Sequence, residues 1–307
     1  MAPLAQTLAL LAMAVAATAL DVVTLDMAQD SFDDQYQGCS PAMTAALPAL
    51  NCSEFQQNPL FAQAWRNATA EWQSRGSPVS PLSSSAQAIA LMAYTMDDLY
   101  KEFNEAVRTA GRSSQEYQEN FHFKTLHFLL TDALVTLRDT QGPQCHNVYR
   151  GVDGVRFKAE RGDVVRFGHF TLASRSETTA MVFGNATVFR MHTCHSMGIW
   201  EFSKYPDKKE VLIPPFDTFV VVNVSQEGES AWIQLHSTRI FSNYNCEWLQ
   251  GTHSGWGDKD THGWGQGQGN TGLRTLTGRG GSIPRASFHC GGLLLATTAL
   301  AVATGIL

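Results

Sequence analysis

The change in residue pattern near Cys145 constrains the fold more than any other feature of this chain. Before it, apolar residues recur at three- and four-residue spacing, which predicts helices. After it, short runs rich in β-branched and aromatic residues are separated by turn residues, which indicates a mainly antiparallel sheet. Helices followed by strands favour an α+β fold, in which a helical N-terminal part packs on a sheet that carries the site.

Individual elements follow from the same patterns. Ser114 is placed to cap one long helix, whose apolar face is formed by Phe121, Leu126, Leu129, Leu130, Ala133, Leu134 and Leu137. A second helix is expected near residues 97–109, and residues 88–94 are compatible with either a helix or a buried strand. The expected strands are 164–170, 187–193, 211–213, 216–224 and 231–236.

Both ends of the chain carry apolar segments that are typical of targeting signals. Residues 1–19 end in Ala17-Thr18-Ala19, a small-x-small pattern of the kind cut by signal peptidase. Residues 283–307 follow the small trio Gly280-Gly281-Ser282 and end in an uncharged apolar tail, as in a GPI-anchor signal. We therefore expect one domain over residues 20–250, on the outer face of the plasma membrane through a lipid anchor, or secreted.

Residues 251–282 are rich in glycine and predict a flexible spacer. Two loose repeats within it, beginning at His253 and His262, offer imidazole and backbone nitrogen to Cu(II), but a spacer is the preferred interpretation. The G-x-G-x-x-G pattern at 267–272 follows no strand and opens no helix, which disfavours a Rossmann site.

Cysteine content and charge limit the compartment and the partners. Six cysteines in a chain with a secretory signal suggest disulfide bonds, although spacing alone leaves their connectivity open. Glycosylation sequons at Asn51, Asn67, Asn185 and Asn223 agree with the secretory route. A formal net charge of -6 leaves no basic surface for a phosphate backbone, so no nucleic-acid partner is expected.

The stretch around Glu210 is the first candidate for chemistry. Glu210 stands immediately before the apolar run Val211-Leu212-Ile213, which Pro214-Pro215 ends. A carboxylate at the mouth of a buried strand is placed to stabilise positive charge that develops as an N-glycosidic bond breaks. The alternative is an edge strand with a solvated acidic start, and this stretch alone favours that alternative.

Six motifs that occur together in one order favour the catalytic interpretation of Glu210 over the edge-strand interpretation. They are residues 31–39, 121–128, 148–151 (Val-Tyr-Arg-Gly), 165–170 (Val-Arg-Phe-Gly-His-Phe), 210–216 and 244–246. In this combination the chain resembles the vertebrate ecto-mono-ADP-ribosyltransferases, above all the arginine-modifying bird enzymes, over about residues 21–250 and the C-terminal tail. The resemblance implies the ADP-ribosyltransferase fold, NAD or NADP as substrate, no metal, and protein arginine side chains as acceptors. We expect a monomer.

The resemblance also implies roles for individual residues. Arg150 matches the NAD-binding arginine, whose planar guanidinium can clamp a pyrophosphate, and Gly151 would let the backbone approach the ligand. Phe183 matches the aromatic residue that packs on nicotinamide, and Tyr94 and His169 are expected near the cofactor. The implied catalytic set is Arg150, Ser174 and Glu210. Without the resemblance, Arg150 would be interpreted as a surface ion-pair residue, and Phe183 and Tyr94 as core residues.

The same resemblance implies two disulfide bonds, one between Cys39 and Cys246 and one between Cys145 and Cys194. Cys290 would leave with the anchor signal, which would leave Cys52 unpaired. The cluster His192-Thr193-Cys194-His195 invites interpretation as a metal site, but a disulfide at Cys194 disfavours it.

Two positions depart from the family pattern and bear on activity. Leu172 stands where the family has the first serine of a Ser-x-Ser pair, which helps to orient the glutamate and the ribose. Lys208 replaces a carboxylate that period-two alternation would put on the face of Glu210. At about 4 Å and an effective dielectric of ~20, this exchange turns an attraction of about 4 kcal/mol for the acceptor guanidinium into a comparable repulsion.

A third departure is His169, where relatives often have glutamine. We therefore expect NAD binding to be retained and arginine transfer to be weakened. A catalytically inactive surface binding protein and a slow NAD glycohydrolase are the alternatives.

Overall fold

Six consecutive helices precede the main sheet in the computed structural model, which describes residues 20–97 and 99–253. The helices are α1 Ser40–Gln57, α2 Pro59–Ser74, α3 Ser85–Thr95, α4 Tyr100–Ala110, α5 Ser114–Asn120, α6 Lys124–Gln141, α7 Glu177–Met181 and α8 Glu247–His253. The strands are β1 Asp21–Thr24, β2 His146–Val152, β3 Val155–Lys158, β4 Val164–Val165, β5 Thr171–Ser174, β6 Thr187–Thr193, β7 Met197–Gly198, β8 Glu210–Ile213, β9 Asp217–Glu227 and β10 Ser230–Ile240.

The main sheet has eight strands in the order β4, β9, β10, β6, β2, β5, β8, β7. Neighbours run antiparallel except β10 and β6, which are parallel. A separate two-stranded parallel sheet joins β1 to β3. The predicted α+β fold with a mainly antiparallel sheet is confirmed.

Packing on both faces fixes the strand that carries Glu210. Leu212 belongs to a large apolar cluster built mainly from the helices, whereas Val211 and Ile213 belong to a second cluster built mainly from the sheet. This division follows from the alternation of side chains along a strand. Burying each of these three side chains stabilises the fold by about 1.5 to 3 kcal/mol, so β8 is a firm platform for its first residue.

The single helix that was predicted from Ser114 onward is wrong, because the chain breaks between α5 and α6 at residues 121–123. Ser113, one residue earlier than predicted, caps α5 by accepting a hydrogen bond from the backbone N–H of Glu116. The break is stabilised from outside the segment. The carboxylate of Glu54 accepts the backbone N–H groups of Lys124 (2.5 Å) and Thr125 (2.9 Å) at the start of α6.

Two other predicted elements are changed or resolved by the structure. Residues 88–94 lie in α3, which Ser84 caps, so the ambiguity between helix and strand is resolved in favour of helix. Of the expected strand 164–170, only residues 164–165 form a strand, β4, and residues 166–170 lie in the loop that leads to β5. In that loop Gly168 has φ +67°, and the buried guanidinium of Arg166 pairs with the buried carboxylate of Asp33. Arg166 therefore leaves the sheet to neutralise an acidic group.

Disulfide bonds and carboxylates join the beginning of the domain to its end. The bonds Cys39–Cys246 and Cys145–Cys194 are both present in the structure. Asp34 accepts the backbone N–H groups of Cys246 and Glu247, each at 2.9 Å. The segment that follows β10 is thus held against the N-terminal segment.

Cys52 is disulfide-bonded in the structure, whereas the resemblance implied that it is unpaired once Cys290 has left with the anchor signal.

Several predictions concern segments outside the described residues. These are the signal peptide 1–19, the anchor signal 283–307 and the spacer beyond His253, with its two repeats and its G-x-G-x-x-G pattern. Within residues 20–97 and 99–253, the structure contains no helix with the length and apolar character to cross a membrane.

Candidate active site

A cavity of about 400 Å³ gathers most of the predicted site residues. Its walls come from the end of α3, the start of α4, strands β2 and β5, and the start of β8. The predicted residues that line it are Tyr94, Arg150, Gly151, Ser174, Phe183 and Glu210. His169 lines an adjoining cavity instead.

Arg150 lies within β2 rather than at a strand end, and it lines both cavities. Its Nη1 donates a hydrogen bond to the backbone carbonyl of Leu172 at 2.8 Å. Burial lowers the pKa of Arg150, and the charge of Arg108 acts in the same direction. A half-buried guanidinium held by a neutral carbonyl is well placed to receive an anion.

Gly151 is required by packing as well as by its place in the cavity wall. A Cβ atom there would lie 2.1 Å from the carbonyl oxygen of Gly184 and 2.4 Å from that of Ala180. Because real Cβ atoms do not approach backbone oxygens so closely, only glycine lets the end of α7 close on β2. That closure brings Phe183 to the cavity.

Glu210 is the first residue of β8 and is 5% exposed. Its Oε2 accepts a short hydrogen bond from the hydroxyl of Ser203, which is itself fully buried. Burial raises the pKa of Glu210, the hydrogen bond from Ser203 and the charge of Lys208 lower it, and the charge of Asp97 raises it. The carboxylate is therefore fixed in orientation and is poorly solvated.

Ser174 lies directly opposite Glu210 in the β5–β8 register. Its hydroxyl donates to the backbone carbonyl of Lys208 at 2.8 Å and accepts the backbone N–H of Ser176 at 3.1 Å. Ser174 therefore holds the turn that precedes Glu210.

Tyr94 contributes a fixed ring to the cavity wall. Its hydroxyl donates to the carbonyl of Phe170 at 2.5 Å and accepts from Nδ2 of Asn104 at 3.1 Å, and burial raises its pKa. Oδ1 of Asn104 is buried without a partner among the described residues, although Asn104 lines both cavities. An orphan acceptor of this kind fits a ligand that donates a hydrogen bond.

His169 lies beside Arg150 in the second cavity, which has a volume of about 480 Å³. Burial lowers its pKa well below the usual range, and the charges of Arg108 and Arg150 add to the effect. Nδ1 of the neutral ring lies 2.6 Å from the carbonyl of Phe167, and Nε2 lies 3.2 Å from Nη2 of Arg108. This arrangement fits an Nδ1–H donor and an Nε2 acceptor.

The mouth of the main cavity is formed by exposed and half-exposed side chains. The ammonium of Lys208 lies 3.7 Å from the ring centroid of Tyr205 and 4.6 Å from that of Phe183, which is 49% exposed. The hydroxyl of Tyr205 donates to Oδ2 of Asp97 at 2.8 Å. Cationic, aromatic and acidic groups thus meet beside Glu210.

The strand alternation expected between positions 208 and 210 is wrong. Lys208 ends a 3₁₀ turn at Pro206–Lys208, and Lys209 has a left-handed φ of 49°, so β8 begins only at Glu210. A residue in that conformation reverses the chain direction locally. Lys208 nevertheless lines the same cavity as Glu210. Its charge is therefore still expected to repel an acceptor guanidinium.

The disulfide bond between Cys145 and Cys194 keeps both sulfur atoms from binding a metal in the oxidised protein. Ligand atoms of Cys145, His192 and Cys194 all lie within 4.8 Å of one another, but the two sulfur atoms are bonded together. This agrees with the preference against a metal site at this cluster.

Sequence analysis missed three residues that line the main cavity, Asn104, Asp97 and Tyr205, and it also missed Ser203, which bonds to Glu210. Asn104 carried a usable signal, because it lies beside Phe103 on the buried face of α4 and is polar there. Asp97 and Tyr205 lie in connecting segments that have no periodicity. Ser203 meets Glu210 only because the chain turns between β7 and β8.

Comparisons with known proteins agree with this arrangement. A sequence profile described as "NAD:arginine ADP-ribosyltransferase" matches residues 25–242. The "Erythroblast NAD(P)(+)--arginine ADP-ribosyltransferase" of Gallus gallus is 50% identical over 231 residues, which are 74% of this chain and 77% of that protein. The "GPI-linked NAD(P)(+)--arginine ADP-ribosyltransferase 1" of Homo sapiens is 46% identical over 245 residues, covering 74% of this chain and 75% of its own length.

The solved structures that this chain resembles are also ADP-ribosyltransferases. The crystal structure of the mono-ADP-ribosyltransferase ART2.2 has a TM-score of 0.63 and 35% sequence identity, and the match covers 73% of this chain and 98% of that one. A variant of ART2.2 in complex with NAD matches equally well, with a TM-score of 0.63.

Proposed function

Because this chain belongs to the NAD:arginine ADP-ribosyltransferase family, we propose that it transfers ADP-ribose from NAD to arginine side chains of proteins at the cell surface, with a weakened acceptor step. The resemblance to the bird enzymes that was inferred from the sequence is confirmed. One observation carries the proposal. Arg150 and Glu210 line the same cavity, Arg150 donates to the backbone carbonyl of Leu172, and Glu210 accepts from the buried hydroxyl of Ser203.

The residues of the two cavities fit NAD in charge and in hydrogen-bonding capacity. Arg150 connects the cavities, and its guanidinium matches a pyrophosphate placed between them. The orphan Oδ1 of Asn104 would accept a hydrogen bond from a ribose hydroxyl or an adenine amino group. Phe183 offers a half-exposed ring to the nicotinamide.

The chemistry requires positive charge to develop on the nicotinamide ribose as the N-glycosidic bond breaks and nicotinamide departs. Glu210 would stabilise that charge, because its carboxylate is poorly solvated and is aimed by Ser203. Ser174 would act indirectly, because its hydroxyl holds the turn that positions Glu210. An acceptor guanidine nitrogen then bonds to the ribose carbon and loses a proton to solvent water.

Weak arginine transfer is proposed from Lys208 and Leu172. The ammonium of Lys208 lies at the cavity mouth, where it repels a guanidinium. Leu172 lines the cavity with an apolar side chain where the family has a hydroxyl. The same observations favour NAD glycohydrolysis as the second candidate function, because water carries no charge for Lys208 to repel.

Labelled NAD tests these proposals on the full chain produced through a secretory pathway. Nicotinamide release and transfer to agmatine are scored separately. Release together with slow transfer supports the proposed function, and release without transfer supports the glycohydrolase. NAD binding without release would indicate a binding protein and would refute both.

A GPI anchor on the outer face of the plasma membrane is proposed from the C-terminal tail. The names of the rabbit, mouse and human relatives describe those proteins as GPI-linked. Treatment of intact cells with a phosphatidylinositol-specific phospholipase should release this protein. Persistence on cells whose other GPI-anchored proteins are released would refute the anchor.

A further inference from the structure

The cavity mouth needs a negative charge for a guanidinium acceptor, and position 208 does not supply one. The ammonium of Lys208 lies over the rings of Tyr205 and Phe183. A permanently charged guanidinium that approaches Glu210 must pass this ammonium. Transfer to arginine through this mouth therefore requires a carboxylate from another element.

Asp97 supplies a carboxylate at the same mouth. It follows Met96, the C-cap residue of α3, and it is exposed while lining the main cavity. Its Oδ2 accepts the hydroxyl of Tyr205 at 2.8 Å, so the ring that lies under Lys208 also fixes Asp97. The other carboxylate oxygen, Oδ1, leaves this group with further acceptor capacity.

The remaining carboxylates of the cavity wall serve this role less well. Among the described residues the cavity is lined by Asp97, Asp153 and Glu210. Glu210 is buried and bonded to Ser203. Asp97 is the acidic group whose charge raises the pKa of Glu210, whereas Asp153 follows the end of β2 and is not among the groups that shift this pKa.

We propose that Asp97, held by Tyr205, is the carboxylate that receives the acceptor guanidinium in this chain and so determines its specificity for arginine. The inference rests on the proposed transfer to arginine and names the group that makes the transfer possible despite Lys208. A carboxylate accepts two parallel N–H groups of a guanidinium, which orients the acceptor as well as attracting it. Acceptor selection thus comes from the end of α3 rather than from the turn before β8.

The test compares the variants Asp97→Asn, Asp97→Glu and Asp153→Asn with the wild type. Asp97→Asn retains an oxygen for Tyr205 while removing the charge, so the fold and the hydrogen bond are kept. We expect the KM for agmatine to rise about tenfold in Asp97→Asn. At a pH at which Glu210 is fully ionised, nicotinamide release without acceptor should stay within about twofold of the wild type, because Asp97 is proposed to contact the acceptor.

Asp97→Glu should recover most of the lost affinity, and Asp153→Asn should leave the KM for agmatine unchanged. If Asp97→Asn leaves that KM unchanged, or if Asp153→Asn raises it equally, the inference is overturned. A fall in kcat for nicotinamide release without a change in KM for agmatine would assign Asp97 a merely structural role and would also overturn it.

Calorimetric titration of agmatine into each protein in the presence of NADH separates this inference from the proposed function. A wild type that releases no nicotinamide refutes the proposed function, while the titration still measures the binding of the guanidinium. Weaker agmatine binding by Asp97→Asn than by the wild type supports the role of Asp97. Equal binding by the two proteins overturns it.

Discussion

The two halves of the main cavity are held in different ways. On the cofactor side, Tyr94 and Arg150 bond to backbone carbonyls, and Gly151 is fixed by the close approach of backbone oxygens. On the proposed acceptor side, Lys208 and Asp97 are held by Tyr205, and both contacts are between exposed or half-exposed side chains. Backbone partners remain when a sequence changes, whereas side-chain partners change with it. Arg150, which bonds to a backbone carbonyl, matches the family pattern, whereas Lys208, whose ammonium contacts aromatic side chains, departs from it.

Replacement of Glu210 with glutamine should remove the function of both halves and have the largest effect. The amide keeps the size of the side chain but not its charge, so we expect nicotinamide release to fall about 10²- to 10³-fold. Binding of NAD, measured by calorimetry, should change little. Loss of binding that is as large as the loss of rate would show that Glu210 holds the cofactor instead of stabilising the reacting ribose.

Leu172→Ser should strengthen the cofactor half. Restoring one hydrogen bond to a charged group should raise nicotinamide release about ten- to a hundredfold, with or without an acceptor. Leu172→Ala is the matched control, because it removes the same side chain without adding a hydroxyl. An equal gain in both variants would mean that cavity volume limits the reaction, not the missing hydroxyl.

Lys208→Glu should act on the acceptor half alone. It removes a charge that repels the guanidinium and adds one that attracts it, and solvent screening at the mouth limits the gain to about 1 kcal/mol, or roughly fivefold in KM for agmatine. At a pH at which Glu210 is fully ionised, nicotinamide release without acceptor should be unchanged. The double variant with Leu172→Ser should gain measurably over either single change. If Lys208→Glu changes both activities equally, the two halves do not act separately.

The pH dependence of nicotinamide release should show the smallest effect. The reaction needs ionised Glu210, whose pKa burial raises, so the rate should fall on acidification at a pH above that at which an ordinary glutamate titrates. Ser203→Ala removes a hydrogen bond that lowers this pKa. The acidic limb of the pH–rate profile, where the rate falls, should therefore move to higher pH. Asp97→Asn removes a charge that raises it, which should move the limb to lower pH. Identical profiles for the three proteins would show that another group sets this limb.

The sequence predicted the parts of the fold that depend on local pattern. The strand at residues 187–193 has its expected limits, and β8 begins at Glu210, one residue before its predicted apolar run, because alternation and apolar runs are local signals. The break between α5 and α6 was not predictable in this way. It depends on Glu54, about seventy positions away, which accepts two N–H groups at the start of α6.

The site residues that were predicted and those that were missed differ in the same way, by whether a local pattern carries them. Arg150, Ser174 and Glu210 were predicted because strand motifs carry them, and the structure brings all three to one cavity. Asp97 and Tyr205 were missed because their role arises from a contact between residues 108 positions apart. The residue roles themselves remain predictions for the experiments above.

The attachment of Cys246 to Cys39 has a mechanical consequence. A protein that is tethered by its C-terminal end receives any pulling force first at α8, just beyond Cys246. The disulfide bond and the Asp34 carboxylate pass that force to the segment before α1, so it bypasses β10. Tension on the tether would then load a covalent bond rather than the ladder of the sheet, and the catalytic strands would stay in register while the molecule is pulled.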